Sequence, residues 1–378
     1  MANQTRLPWI VFFGLMGATA SVIPALIPHL SAAMEIDVFL LLNAVPFLFA
    51  GLFLGILINP LISNRLGFEQ IMKLASPLLA VGLVVIVFSN QAQWFFAGAF
   101  LAGIGFGLAE VSITSQVRKE ITDTTKMMTK LTAVFAVSAM VTPLLLIIEL
   151  QLNSSYWLLL VLAIAVSITG LMVRAELVAT NKGSYLFKVH SQGYVFLIIA
   201  GLYVGAESVM AGWASTVLDQ ANVLSTEFTP IASSAFWGLI ASGRLFSLWS
   251  ATRFLNQRAL SIWPVISAAG LVAGAAVFIA NPMLALIGFA ISVFAAGPIY
   301  GQIISSALKT VESAKANSFT TMLIVCGAAG GFLIPAVVQL APSIATAAWF
   351  SAAAMLVVSI SYFFNSKTVQ ANKSEVMQ

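Results

Sequence analysis

Long apolar runs separated by short polar segments follow one another along the whole chain. A helix that crosses a bilayer needs about 20 mostly apolar residues, and twelve runs meet this requirement. The runs are continuous rather than alternating, which disfavours a transmembrane β-barrel. The pattern therefore predicts an all-α membrane protein with twelve transmembrane helices. The predicted spans are Trp9–Leu30, Phe39–Ile62, Ile71–Phe88, Trp94–Ser115, Leu131–Leu150, Tyr156–Val173, Gly193–Trp213, Pro230–Ala251, Ala259–Ala280, Met283–Ala307, Asn317–Leu340 and Ser343–Phe364.

The basic residues fall on alternate loops between these spans. Sixteen of the 17 Lys and Arg residues lie before span one, in the loops after spans two, four, six, eight and ten or within three residues of them, or in the tail. The opposite loops and the span ends next to them hold acids and no Lys or Arg; the acids are Glu35, Asp37, Glu149, Asp219 and Glu227. Because Lys and Arg concentrate in cytoplasmic loops, the alternation supports the count of twelve and predicts that both termini are cytoplasmic.

Composition agrees with a membrane protein. Hydrophobic residues make up 60% of the chain and charged residues 8%, against about 25% charged in soluble domains, and the mean hydropathy is +1.01. This excludes a soluble globular protein and a disordered one. The single cysteine, Cys326, excludes a disulfide scaffold. Because the net charge is only +4 and the basic residues are scattered, we expect no nucleic-acid partner. We expect a monomer embedded in the lipid of a bacterial inner membrane.

The loop pattern of the first six spans is repeated in the last six. We therefore predict an N-terminal six-helix half over 1–173, a cytoplasmic central loop over 174–192, a C-terminal six-helix half over 193–364 and a cytoplasmic tail over 365–378. Glycines four residues apart allow helix backbones to approach closely in lipid. Three such pairs, Gly51/Gly55, Gly201/Gly205 and Gly270/Gly274, predict tightly packed helix pairs.

Three charged residues lie well inside predicted spans, at least five residues from either end: Glu110 in span four, Glu207 in span seven and Arg244 in span eight. Each costs about 2.5–3.5 kcal/mol at a helix centre on insertion scales, and such residues usually face the bundle interior or a wet cavity. They are the leading candidates for substrate binding or proton coupling. A structural bond to a neighbouring helix is the alternative for both acids. For Arg244 a structural role, tying helices together or bonding helix-end carbonyls, is the slightly favoured explanation. Glu110 and Arg244 lie at similar predicted depth, so a contact between them is a further hypothesis.

Weaker candidates are polar or amphipathic residues within spans, for which ordinary helix packing is the favoured explanation. They are Asn43, Tyr203, Trp237, Tyr300 and Gln302. Tyr203 shares a helix face with Glu207, whereas Tyr300 and Gln302 point about 200° apart. Neither His29 nor His190 has a second ligand at metal-binding spacing, and no phosphate-binding loop is present. We expect no metal, no cofactor and no enzymatic activity.

Four short motifs resemble those of the fucose–galactose–glucose:proton symporter family, a branch of the major facilitator superfamily. They are Gly105-Phe106-Gly107-Leu108-Ala109-Glu110 in span four, Tyr203-Val204-Gly205-Ala206-Glu207 in span seven, Gly243-Arg244-Leu245 with Trp249 and Arg253-Phe254 around span eight, and Gly330-Gly331 with Pro335 in span eleven. The chain differs from fucose carriers in having no acid at Gly17–Ser21 of span one.

The resemblance implies two six-helix repeats with a substrate site between them, lined by spans one, four, seven and ten. It also implies proton-coupled uptake of a small polar solute, such as a sugar, by alternating access. An exporter of drugs or metabolites on the same fold is the alternative. Ala99 stands where drug:proton antiporters carry an arginine, which disfavours that alternative.

Overall fold

The computed structural model describes residues 6–63, 65–121, 124–152, 156–174, 191–251, 262–308, 310–311 and 316–376. Most of the predicted central loop lies outside these ranges, as do Asn64, His190 and the Arg253-Phe254 pair. Fifteen α-helices and a 3-10 helix at Thr226–Phe228 make up the described chain. The α-helices are α1 Leu7–Ala25, α2 Ile27–Met34, α3 Val38–Leu41, α4 Ala44–Ser63, α5 Phe68–Val87, α6 Ala92–Glu120, α7 Thr124–Gln151, α8 Trp157–Met172, α9 Ser191–Gln220, α10 Pro230–Ala251, α11 Trp263–Val277, α12 Pro282–Ala296, α13 Ile299–Leu308, α14 Ala316–Val338 and α15 Ile344–Val376.

Ten helical segments within the described residues are long and apolar enough to cross a membrane. Two shorter apolar helices, α8 and α11, stand at the positions of predicted spans six and nine. The all-α membrane prediction is confirmed, because the described chain contains helices and no strands. The exact number of twelve spans stays a prediction.

The chain divides into two compact units. One comprises Met1–Gly183 with Ala211–Gly238, and the other comprises Ser184–Met210 with Leu239–Gln378. Helices α9 and α10 each contribute one part to each unit. In the first unit α6 packs between α4 and α5, and α1 packs against α7. In the second unit α11 packs against α12 and α15.

Close packing at the glycine pairs is confirmed. A side chain at Gly51 or Gly55 would strike the α6 backbone at Phe100 and Ile104. In the second unit, Gly201 and Gly205 lie against α14, and Gly270 and Gly274 lie against α12. These glycines let backbones approach where lipid supplies no hydrophobic force to press helices together.

Predicted span ten is not one continuous helix. Pro298 has no N–H, and its ring would clash with the carbonyl four residues earlier, so α12 ends at Ala296 and α13 begins at Ile299. The Phe294 carbonyl accepts a hydrogen bond from the Gly297 N–H at 3.2 Å. We call residues 296–298 the span-ten break.

Candidate functional site

Glu207 and Arg244 form the only ion pair within the described residues. The Arg244 Nη2 atom lies 3.7 Å from the Glu207 Oε1 atom. Both residues belong to the second unit, on α9 and α10. Their side chains are 18% and 39% exposed for Glu207 and Arg244 respectively, although each lies well inside an apolar span. Charged residues inside membrane spans generally face the bundle interior or a water-filled cavity.

Arg244 also holds the span-ten break. Its Nε donates a hydrogen bond to the Gly297 carbonyl at 3.2 Å. The guanidinium thus joins a carboxylate on one helix to a carbonyl at the end of another, using the fixed fork of donors that arginine provides. The expectation that Arg244 could bond a helix-end carbonyl is confirmed.

Tyr203 binds the same break from α9. Its hydroxyl, fully buried, donates to the Ala296 carbonyl at 3.0 Å and lies beside the Glu207 carboxylate. The ring of Tyr203 stacks on that of Tyr300, with centroids 5.8 Å apart and planes 19° apart. The second unit therefore brings together Glu207, Tyr203, Arg244 and Tyr300, which we call the unit-two cluster.

Gln302 lies on α13, one residue beyond the Tyr300–Gly301 pair. Its Nε2 atom is buried and has no hydrogen-bond partner among the described residues. A buried amide without a partner costs about 1–3 kcal/mol, so it is a donor available to a bound molecule or water.

Glu110 belongs to the first unit. Its carboxylate has no hydrogen bond or ion pair within the described chain, and only its backbone carbonyl is engaged, by the Thr114 hydroxyl at 2.7 Å. The residue is partly accessible. In this structure the charge partner of Arg244 is Glu207, and a Glu110–Arg244 contact stays a prediction.

The remaining candidates, Trp237 and Asn43, also lie in the first unit. Trp237 is half-buried and meets Phe135 edge-to-face at 5.5 Å and Phe236 at 5.3 Å. Phe106, one helical turn before Glu110, meets the same Phe135 ring at 6.3 Å. Asn43 lies in the turn between α3 and α4 and donates to the Leu40 carbonyl at 2.9 Å, which is a local structural role.

Sequence reasoning missed two features of the site. The first is the span-ten break, for which the Gly297-Pro298 dipeptide was the available signal. The second is Asn59, which is buried and donates from Nδ2 to the Ser112 hydroxyl at 2.7 Å and the Leu108 carbonyl at 2.9 Å. These bonds fix α6 on either side of Glu110. An isolated asparagine within an apolar run was the signal for it.

Comparison with solved structures shows which fold this is. The D-xylose-proton symporter superposes with a TM-score of 0.74 at 12% identity, over 94% of this chain and 95% of that one. A bacterial homolog of the human lysosomal transporter Spinster gives 0.74 at 12% identity, over 97% of each chain. The nucleoside transporter NupG gives 0.71 at 12% identity, over 96% of this chain and 99% of that one. The chain has the major facilitator fold.

Sequence comparison adds one curated relative to this assignment. The glucose/mannose transporter GlcP of Bacillus subtilis (strain 168) is 24% identical over 220 residues. These residues are 53% of this chain and 54% of that protein, so the match spans about half the length of the relative. No protein-family model matches the chain. The similar proteins are transporters, in agreement with the expectation of a transporter rather than an enzyme.

Proposed function

We propose that this protein is a secondary transporter that takes up a small polar solute, with a sugar as the leading candidate, together with protons. The observation that carries the proposal is the partly accessible Glu207–Arg244 pair inside apolar spans. Such a pair is costly in a membrane unless it serves a cavity or a pathway. The two charged groups belong to α9 and α10, and a purely structural bond between helices would not require them to be accessible to water.

The chemistry of the unit-two cluster suits a polyhydroxylated solute. Glu207 offers acceptors, Arg244 offers the guanidinium donors that the Gly297 carbonyl does not use, and the Tyr300 ring offers an apolar face for the C–H side of a sugar ring. Hydroxyl groups can use both donors and acceptors at once. The likeness to a glucose/mannose transporter and the shared fold with a D-xylose-proton symporter support a sugar among the small polar solutes.

Glu110 is the residue we assign to proton movement. Its carboxylate has no cation beside it within the described residues, and an unpaired carboxylate in a low-dielectric span is stabilised by taking up a proton. Glu207, in contrast, has the Arg244 cation 3.7 Å away. The two acids thus suit two different tasks, solute binding at Glu207 and proton binding at Glu110.

We also propose that the chain has twelve spans in two six-helix repeats, with both termini cytoplasmic. The helices α8 and α11 have 16 and 15 residues, about 24 Å and 22 Å of helix. A short span of this kind can be accommodated by local thinning of the bilayer. In such folds the solute site lies near the midplane, and the two repeats rock around it to expose it to each side in turn.

Uptake into proteoliposomes tests the function. Purified protein is reconstituted, an inward proton gradient is imposed, and uptake of labelled glucose, mannose, fucose, galactose and xylose is compared with uptake of nucleosides, amino acids and dipeptides. The proposal expects accumulation of at least one sugar that a protonophore abolishes. Transport of a solute from another class, or sugar uptake unaffected by the gradient, would contradict the corresponding part of the proposal.

A further inference from the structure

The span-ten break is bound by the same side chains that form the unit-two cluster. In an unbroken helix the Ala296 and Gly297 carbonyls would accept from the N–H groups of residues 300 and 301. Here Ala296 is an acceptor for the Tyr203 hydroxyl and Gly297 for the Arg244 guanidinium. Two side chains from two other helices thus meet two successive carbonyls directly before Pro298.

The backbone of α10 packs directly against the span-ten break and the end of α12. A side chain at Gly297 would strike the Ile240 carbonyl on α10, and one at Gly243 would strike the Phe294 carbonyl on α12. Arg244 is therefore next to the point where α10 and the break are in backbone contact. A shift of the guanidinium by an ångström or two is enough to lengthen its bond to the Gly297 carbonyl beyond hydrogen-bond distance.

We propose that the span-ten break is a hinge whose closure depends on the charge of Glu207, with Arg244 and Tyr203 as its positioning residues. While Glu207 is charged, it holds Arg244 on the Gly297 carbonyl. Loss of that charge, by protonation or by a solute group that takes the carboxylate, frees Arg244 from this position and loosens α13 relative to α12. This inference rests on the proposed function, since it names how proton or solute binding at the unit-two cluster would change the position of α13.

The surroundings of Glu207 contain few other titratable groups. Tyr203 lies on its own helix, Arg244 on α10 and Tyr300 on α13. Cys326 lies on α14, whose backbone packs against α9 at Gly201. Of these four groups, Arg244 is the one cation, so the charge of Glu207 decides whether the guanidinium has a carboxylate partner within this set.

Thiol labelling tests the hinge without substrate or gradient. In a Cys326→Ala background, Ile299→Cys places a thiol on the first residue of α13, where the native side chain is 1% exposed. Gly301→Cys serves as the reference, because a side chain there meets nothing within 4 Å. The ratio of the N-ethylmaleimide labelling rates at 299 and 301 reports opening of the break, corrected for reagent access.

We expect Glu207→Gln and Arg244→Gln each to raise this ratio at least threefold. The double variant should exceed the larger single effect by little, because both changes remove one linkage. Arg244→Lys should restore part of the closure. Ser267→Ala is the matched control: it removes a buried hydroxyl that contacts Ser292 on α12 at 3.0 Å but leaves the break untouched, and should not change the ratio.

A pH series separates this hinge from a merely structural bond. As the pH falls, the parent's Glu207 loses its charge, so the difference between the parent and Glu207→Gln should shrink toward zero, while Ser267→Ala stays equal to the parent throughout. Should Arg244→Gln not fold, Tyr203→Phe, which removes a single hydroxyl, gives the second test and should also raise the ratio. Folded variants with unchanged labelling at 299 would overturn the hinge. Altered labelling without gradient-dependent uptake of any solute in the panel would instead overturn the proposed function and leave the hinge standing.

Discussion

Glu207 and Glu110 differ in what surrounds their carboxylates. Glu207 has Arg244 at 3.7 Å and the Tyr203 hydroxyl beside it, whereas Glu110 has no charged partner within the described residues. A nearby cation favours the charged form of an acid, and desolvation without one favours the neutral form. The two acids are therefore suited to different chemical tasks, and substitutions at each should fail in different ways.

At Glu207 we expect Glu207→Gln to weaken solute binding. The amide keeps the shape of the side chain but loses the charge that holds Arg244. A loss of at least tenfold in apparent affinity is expected, equivalent to about 1.4 kcal/mol. The concentration dependence of uptake measures it, with Glu35→Gln, at the exposed end of α2, as control. Unchanged affinity in Glu207→Gln would remove the residue from the solute site.

At Glu110 we expect Glu110→Gln to separate exchange from accumulation. The neutral amide mimics the protonated acid, so solute should still exchange across the membrane without a gradient. Accumulation driven by a proton gradient should be lost, because the residue can no longer release a proton. Counterflow and gradient-driven uptake, measured on the same proteoliposomes, compare the two. Normal accumulation by this variant over a range of pH would contradict the assignment.

Helix packing depends on a few glycines at backbone contacts. We expect Gly55→Ala to destabilise the protein by about 1–3 kcal/mol, as overpacking does in cores, because the added methyl would strike the Ile104 carbonyl of α6. Gly67→Ala is the matched control, since its φ is −72° and a methyl there meets nothing within 4 Å. Thermal unfolding in detergent measures both. Equal melting temperatures for the two variants would show that α4 and α6 can separate without cost.

At the scale of elements, the sequence predicted the helices better than their interruptions. Length and hydropathy located the spans, because crossing a bilayer imposes a minimum apolar length. The apolar pattern predicts span ten as one continuous helix, because a proline within a membrane helix is tolerated when neighbouring groups satisfy the freed backbone groups. Those neighbours, Tyr203 and Arg244, come from positions 93 and 53 residues distant along the chain from the carbonyls they bind.

For the candidate site, too, the sequence predicted individual residues but not the contacts between residues distant along the chain. Glu110, Glu207 and Arg244 were recognisable as charges inside apolar runs. Their pairing was not, because similar depth is compatible with several partners, and the structure shows Arg244 with Glu207. The local bond of Asn43 to Leu40 likewise could not be read from a polar residue within a predicted span.

For the whole molecule, the alternation of basic loops predicts which side each loop occupies. In a Cys326→Ala background, Lys182→Cys should react with a membrane-impermeant maleimide only after the cytoplasmic side is opened. Val223→Cys, after α9, should react in intact cells. Labelling of position 182 from outside would contradict the twelve-span topology, because one miscounted span would reverse every later loop.

Proton-coupled uptake is the central claim for the whole molecule, and one measurement tests it most directly. Accumulation of sugar in proteoliposomes is recorded with and without an imposed inward proton gradient, for the parent protein and for Glu110→Gln. The account predicts accumulation by the parent that needs the gradient, and no gradient-dependent accumulation by Glu110→Gln. Sugar uptake by the parent that is equal with and without the gradient would contradict it.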